Sequence, residues 1–133
     1  MQSAASVLSR STVAAAVMVL GACATTDYHY SQLLGERYYR ATIDTYPVSV
    51  VRVDGRDNTR RPALVDPGVR EVSVQGPPGG SGGFGDVQTI SLSVAPCTRY
   101  YLVAVKTQRL ASDFTVRVDH QEPVSGCSPP PAS

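Results

Sequence analysis

A chain of 133 residues with a formal net charge of +1 has room for one domain and lacks the basic surplus of a polyanion binder, so nucleic acid is not an expected partner. With no Trp, two Phe and seven Tyr, the core must be built from Val, Leu, Ile and Tyr. Lys106 is the single lysine among twelve basic residues, and the other cations are all guanidinium groups.

Residues 1–22 read as a cleaved signal. Arg10 supplies a weakly positive start, and Val13 to Leu20 is an apolar run far short of the ~20 residues a membrane-spanning helix needs. The run ends in Leu20-Gly21-Ala22-Cys23, an aliphatic residue and two small ones before a cysteine, which resembles a bacterial lipobox. That resemblance implies lipidation of the Cys23 thiol and acylation of the new amino terminus, hence membrane attachment through a lipid anchor on Cys23. Several acyl chains meet the requirement for stable anchoring at ~0.8 kcal/mol per buried methylene. Ala24, where an inner-membrane retention signal would have aspartate, points to an outer membrane with the domain facing the periplasm. Cleavage removes one base and no acid, which leaves the mature chain formally neutral. In an oxidising compartment the two remaining cysteines, Cys97 and Cys127, are expected to form a structural disulfide. No Cys-x-x-Cys motif favours a redox or metal pair instead.

Residues 23–36 lack periodicity and read as a lipidated tether, followed by a domain over 37–127 and a Pro- and Ser-rich tail over 128–133. Arg37 to Thr45 is expected to be extended, with Pro47 at an edge or bulge. The alternation from Val48 to Asp54 slips at Val50-Val51, which predicts a β-bulge or partial burial of both faces. Asp54-Gly55 signals a turn, extended by residues 56–59, and Ala63-Leu64-Val65 is a short apolar run. After the Asp66-Pro67-Gly68 turn, Val72 and Val74 point inward from a strand ending at Gln75. Residues 76–85 form a Gly/Pro-rich loop without the lysine of a phosphate loop, and Phe84 is its one residue suited to anchoring a partner.

Val87 to Val94 alternates throughout, with Ile90, Leu92 and Val94 inward. The stretch after Cys97 is apolar on both faces from Tyr100 to Val105, which predicts a central strand covered on two sides, with Lys106 the first polar residue after that run. Phe114, Val116 and Val118 face inward from the last strand. About six or seven short strands at intervals of ~8–12 residues, with no helical stripe, predict an all-β fold: a single small antiparallel β-sandwich.

Val51-Arg52-Val53-Asp54-Gly55 followed by Pro67-Gly68-Val69-Arg70-Glu71-Val72-Ser73-Val74 resembles the strand–turn–strand layout of PEGA-type and carboxypeptidase-regulatory-like β-sandwich modules. The likeness covers residues 48–75, and the chain from lipobox to Cys127 is similar to proteobacterial lipoproteins carrying such a module. It implies a fold and an envelope setting, and no catalytic residue.

Chemistry-bearing residues are sparse. His29 falls in the tether, and the neighbours in Asp119-His120-Gln121-Glu122 alternate between faces, so that segment reads as a solvated strand end; three or four convergent ligands are wanted for a metal, and neither metal nor cofactor is expected. No Gly-x-Ser-x-Gly elbow occurs, and no catalytic residue is assigned. Arg52, Arg56, Arg60 and Arg61 form the one dense cationic stretch, a candidate contact patch for phosphate or carboxylate groups, although Asp54 and Asp57 interleave with it. The expected function is a non-enzymatic accessory or scaffolding lipoprotein that binds an envelope protein partner. The alternative is a module that binds cell-wall glycan or lipid headgroups. A long, flat edge strand would favour the first; a groove joining the arginines to exposed tyrosines would favour the second.

Overall fold

The computed structural model describes residues 29–38, 43–80 and 82–129. Cys23, the signal and the first part of the tether lie outside the described residues, as do residues 39–42 of the expected Arg37–Thr45 strand. Among the described residues there is no helix, and nine strands form two sheets: β1 (Ser31–Leu34), β2 (Thr45–Pro47), β3 (Ser49–Val53), β4 (Arg56–Asp57), β5 (Ala63–Val65), β6 (Gly68–Gln75), β7 (Val87–Val94), β8 (Thr98–Val105) and β9 (Thr115–Pro123).

β8 is the centre of the first sheet. β9 pairs antiparallel along one edge from Thr98 to Val105. The other edge is shared: β1 runs parallel to Arg99–Tyr101, and β2 runs antiparallel to Val103–Val105. β5 adds antiparallel to β1. The second sheet has the order β4-β3-β6-β7 and is antiparallel throughout.

The apolar faces of the two sheets meet in one core. Leu33, Val65, Tyr100, Leu102 and Ala104 come from the first sheet, and Val72, Val74 and Val94 from the second. Phe114 closes one end against Gly76, where a Cβ would collide with its ring. Val116 and Val118 pack as expected at the margin of the core. Val103, on the opposite face of β8, is also fully buried, so the central strand is covered on both sides at its middle.

Two turns follow directly from their residues. Asp54 and Gly55 both have positive φ, 49° and 77°, the geometry whose twist matches a two-residue hairpin. The β3–β6 register shifts between Val50 and Arg52, which leaves Val51 as the expected bulge.

Several expectations are corrected. The tether does not extend to residue 36: Ser31 and Leu33 are buried in β1, because Ser31 clasps the β7–β8 connection. Its Oγ donates to the Ala95 carbonyl at 2.6 Å and accepts from the Thr98 N–H at 3.1 Å. β1 is also parallel to β8, so the first sheet is mixed and not purely antiparallel. Arg37, Tyr38, Ile43 and Asp44 lie outside any strand, and the next strand among the described residues begins at Thr45. Residues 56 and 57 do not extend a loop but return as β4. Lys106 is 2% exposed; its stem is enclosed and its Nζ lies 3.5 Å from the Pro78 carbonyl and 5.5 Å from the centre of the Tyr46 ring. The expected disulfide between Cys97 and Cys127 is present, with a Cα–Cα separation of 5.6 Å, and Val124 between β9 and Cys127 is buried.

Candidate functional site

The arginine patch is taken apart by the β3–β4 hairpin. Arg52 pairs with Asp57 and Val53 with Arg56, so Arg52 and Arg56, on successive pairs of the ladder, face opposite sides of the sheet. Arg52 is engaged by Asp57 at 3.1 Å on the exposed face. Arg56 turns instead toward a shallow cleft that it lines with Asp54, Asp57, Asp66 and Arg70. There the Arg70 guanidinium is held by Asp54 at 3.1 Å and by the carbonyls of Asp66 and Pro67. The Glu71 N–H, and after it Arg70, holds the Asp54 carboxyl below its ordinary range.

Arg60 and Arg61 lie apart from both, around a cavity of about 40 Å³ bordered by Leu33, Val48 and Pro62, and Arg61 also lines an open cleft of about 460 Å³ with Gln75 and Pro78. Among the described residues, the clefts lined by Arg56, Arg60 and Arg61 contain no tyrosine. Phe84 is 94% exposed on its loop, away from these arginines' clefts. The four arginines and Phe84 therefore do not make one surface.

A polar cluster that the sequence reading passed over sits on the outer face of the first sheet. Register places Arg99, Tyr101, His120, Glu122 and Gln32 on one face. Glu122 Oε1 accepts from Arg99 at 3.1 Å and from the Tyr101 hydroxyl at 2.9 Å, while Arg99 Nε donates to Gln32 at 2.7 Å. Tyr38 stacks on His120 with ring centres 3.6 Å apart, and its N–H donates to Asp119. The expected solvated strand end is thus a half-buried clamp joining β1, β8 and β9. Burial, and then the Glu122 hydrogen bond, raise the Tyr101 hydroxyl above its ordinary value. Tyr101, and after it Glu122, raise the Arg99 guanidinium. These donors and acceptors engage one another, so the cluster acts as structure. No group of three or more metal-ligating side chains occurs among the described residues.

The surface that differs from the rest is an edge. Among the described residues no strand pairs with the second edge of β7. β7 keeps eight consecutive pairs with β6 without a register shift, from Val87↔Gln75 to Val94↔Gly68. Its sequence, Val-Gln-Thr-Ile-Ser-Leu-Ser-Val, has no charge, proline or glycine. Ile90 and Leu92 pack against the core, and Thr89, Ser91 and Ser93 face out.

Every other edge carries a device that discourages pairing. β9 has four ionisable side chains, a register shift opposite Tyr101/Leu102 and a terminal Pro123. β4 and β5 have two and three residues, and β2 ends in Pro47. Among the described residues β7 presents the longest regular free edge, about 24 Å of backbone at ~3.3 Å per residue.

No family model, no curated protein and no solved structure matches this chain. Within residues 48–75, the two strands β3 and β6 are paired antiparallel.

Proposed function

We propose that this chain is a non-enzymatic protein-binding module of the bacterial envelope: a lipid-anchored β-sandwich that takes an extended segment of a partner protein along β7. The observation that carries this reading is the eight-residue, uncharged, bulge-free edge of β7 set beside four short or protected strands at the other described margins. Strand addition gives affinity through main-chain hydrogen bonds and selectivity through alternate side chains, and β7 offers both an unpaired ladder and a regular alternation. The β-sandwich description rests on the single core shared by the two sheets. The PEGA-like affiliation, the outer-membrane location and the periplasmic orientation rest on the sequence: the strand–turn–strand layout, the lipobox and Ala24. The glycan reading has less support, because among the described residues the clefts lined by Arg56, Arg60 and Arg61 hold no tyrosine.

The test is photocrosslinking in the native cell from a diazirine side chain at position 89 or 93 on β7, with position 117 on β9 as control. Amine-directed reagents are unsuitable because the only lysine is buried. A discrete protein adduct from the β7 positions and not from β9 is the expected result. Adducts from both edges that merely follow protein abundance would overturn the reading. Intact mass of the membrane-extracted protein checks the anchor, and an unacylated Cys23 would remove it.

A further inference from the structure

Resting on the reading of β7 as a docking edge, we infer that its occupant is β7 of a second copy of this chain, paired antiparallel about a two-fold axis through Ser91. The strand is self-complementary in a way few edges are. Opposed residues in an antiparallel pair lie on the same face of the sheet, so a two-fold relating identical strands must pass through a residue position.

With the axis at Ser91, Ser91 meets Ser91 of the second copy and Thr89 meets Ser93 of the second copy. On the other face Ile90 meets Leu92 of the second copy. Hydroxyl therefore opposes hydroxyl on the outer face, and aliphatic opposes aliphatic on the core face. The fold already uses this contact once on the same face, where Ser73 Oγ and Thr89 Oγ1 lie 2.8 Å apart across β6 and β7. The Ser91 axis leaves one mismatch, Gln88 against Val94 at the end of the pairing, whereas an axis at Ile90 would set Gln88 against Leu92 and also Val87 against Ser93. The absence of charge matters most, since any ionised residue on the axis would face its own like charge. Every residue of β7 escapes that penalty in any register, whereas on β9 an axis at Arg117, Asp119 or Glu122 would incur it. A hetero-partner would gain from complementary charge on the edge; a second copy requires none.

The pairing would join the β4-β3-β6-β7 sheets of two molecules into one continuous eight-stranded sheet. A single strand pairing falls below the ~1,600 Å² of a standard interface, so the dimer should dissociate on dilution and gain from co-anchoring in one membrane.

Cysteine scanning of the full chain with Cys23→Ser tests both the partner and the register. At Ser91→Cys the two Cα atoms would be ~4.5–5.5 Å apart, within disulfide range, and mild oxidation should give a covalent dimer. Thr89→Cys alone places identical residues four positions out of register, about 13 Å apart, and should not self-link; mixed with Ser93→Cys it should. Ser91→Lys should abolish the dimer in sedimentation velocity, and Ser91→Thr should keep it. A monomer at all concentrations, without these links, would sink the second-copy inference. If β7 photoprobes then still capture a different protein, the docking-edge reading stands; if they capture nothing distinct, both fall. A dimer that links through β9 cysteines and not through Ser91 would also overturn the inference.

Discussion

Replacing Lys106 with methionine should stabilise this protein, although it deletes a side chain that is among the most buried in the fold. The ammonium is 2% exposed as part of its residue and meets a carbonyl only at 3.5 Å, the outer limit of a hydrogen bond, with the Tyr46 ring centre at 5.5 Å. Burying an ion costs several kcal/mol even after relaxation. The long Pro78 contact offsets this at the low end of ~1.5–3 kcal/mol, and the ring by no more than ~2 kcal/mol. Methionine keeps nearly the same length and volume without the ion, so Lys106→Met should gain about 1–2 kcal/mol. For a domain of this size that corresponds to roughly 5–15 °C in Tm. Urea denaturation followed by far-UV circular dichroism measures it, with Lys106→Ala as the control that loses stem packing and falls by about 2–4 kcal/mol. If Lys106→Met is less stable than the parent, the Pro78 and Tyr46 contacts outweigh desolvation and the reasoning fails.

Three further outcomes are expected. Ser31→Ala leaves the Ala95 carbonyl and the Thr98 N–H without their shared partner and should lower the urea-derived stability by about 2–3 kcal/mol. Replacing Cys97 and Cys127 together with alanine opens a 30-residue loop and should cost about 3.6 kcal/mol on chain-entropy grounds, measured against the oxidised parent. Asp54 has its folded pKa lowered from 3.8, so its stabilising contribution is complete above that value and lost as pH falls below it. Asp54→Asn should therefore show a flatter acid limb in a stability–pH series, and an unchanged limb would refute the assignment.

The strands that were legible in the sequence are those whose instructions are local. β7 and β8 announce themselves by alternation and by a two-faced apolar run, and the Val50-Val51 slip marks its own bulge. β1 was not legible, because four residues ending in Leu33-Leu34 carry no period, and their place is set by Ser31 reaching a turn 64 residues away. The parallel pairing that results has no local signature at all. The arginine patch failed for a related reason: residues close in sequence were assigned one surface, whereas hairpin register sends Arg52 and Arg56 to opposite faces. A signal for the clamp did exist, since Arg99 and Tyr101, like His120 and Glu122, are two apart and so share a face of a strand. Only the β8–β9 pairing brings the two couples together. β7 was recognised as a strand, but being an edge is a property of the sheet and not of the strand.

The double attachment of β1 has a mechanical consequence. A pull on the chain ahead of Ser31, as from a tether at Cys23, acts along a strand bonded on one side to β5 and on the other to β8. Such a load shears both ladders at once instead of unzipping one bond at a time, and the Ser31 side chain adds a lateral pin. A load applied at that end would pass through β1 straight into β8, the strand at the centre of the first sheet.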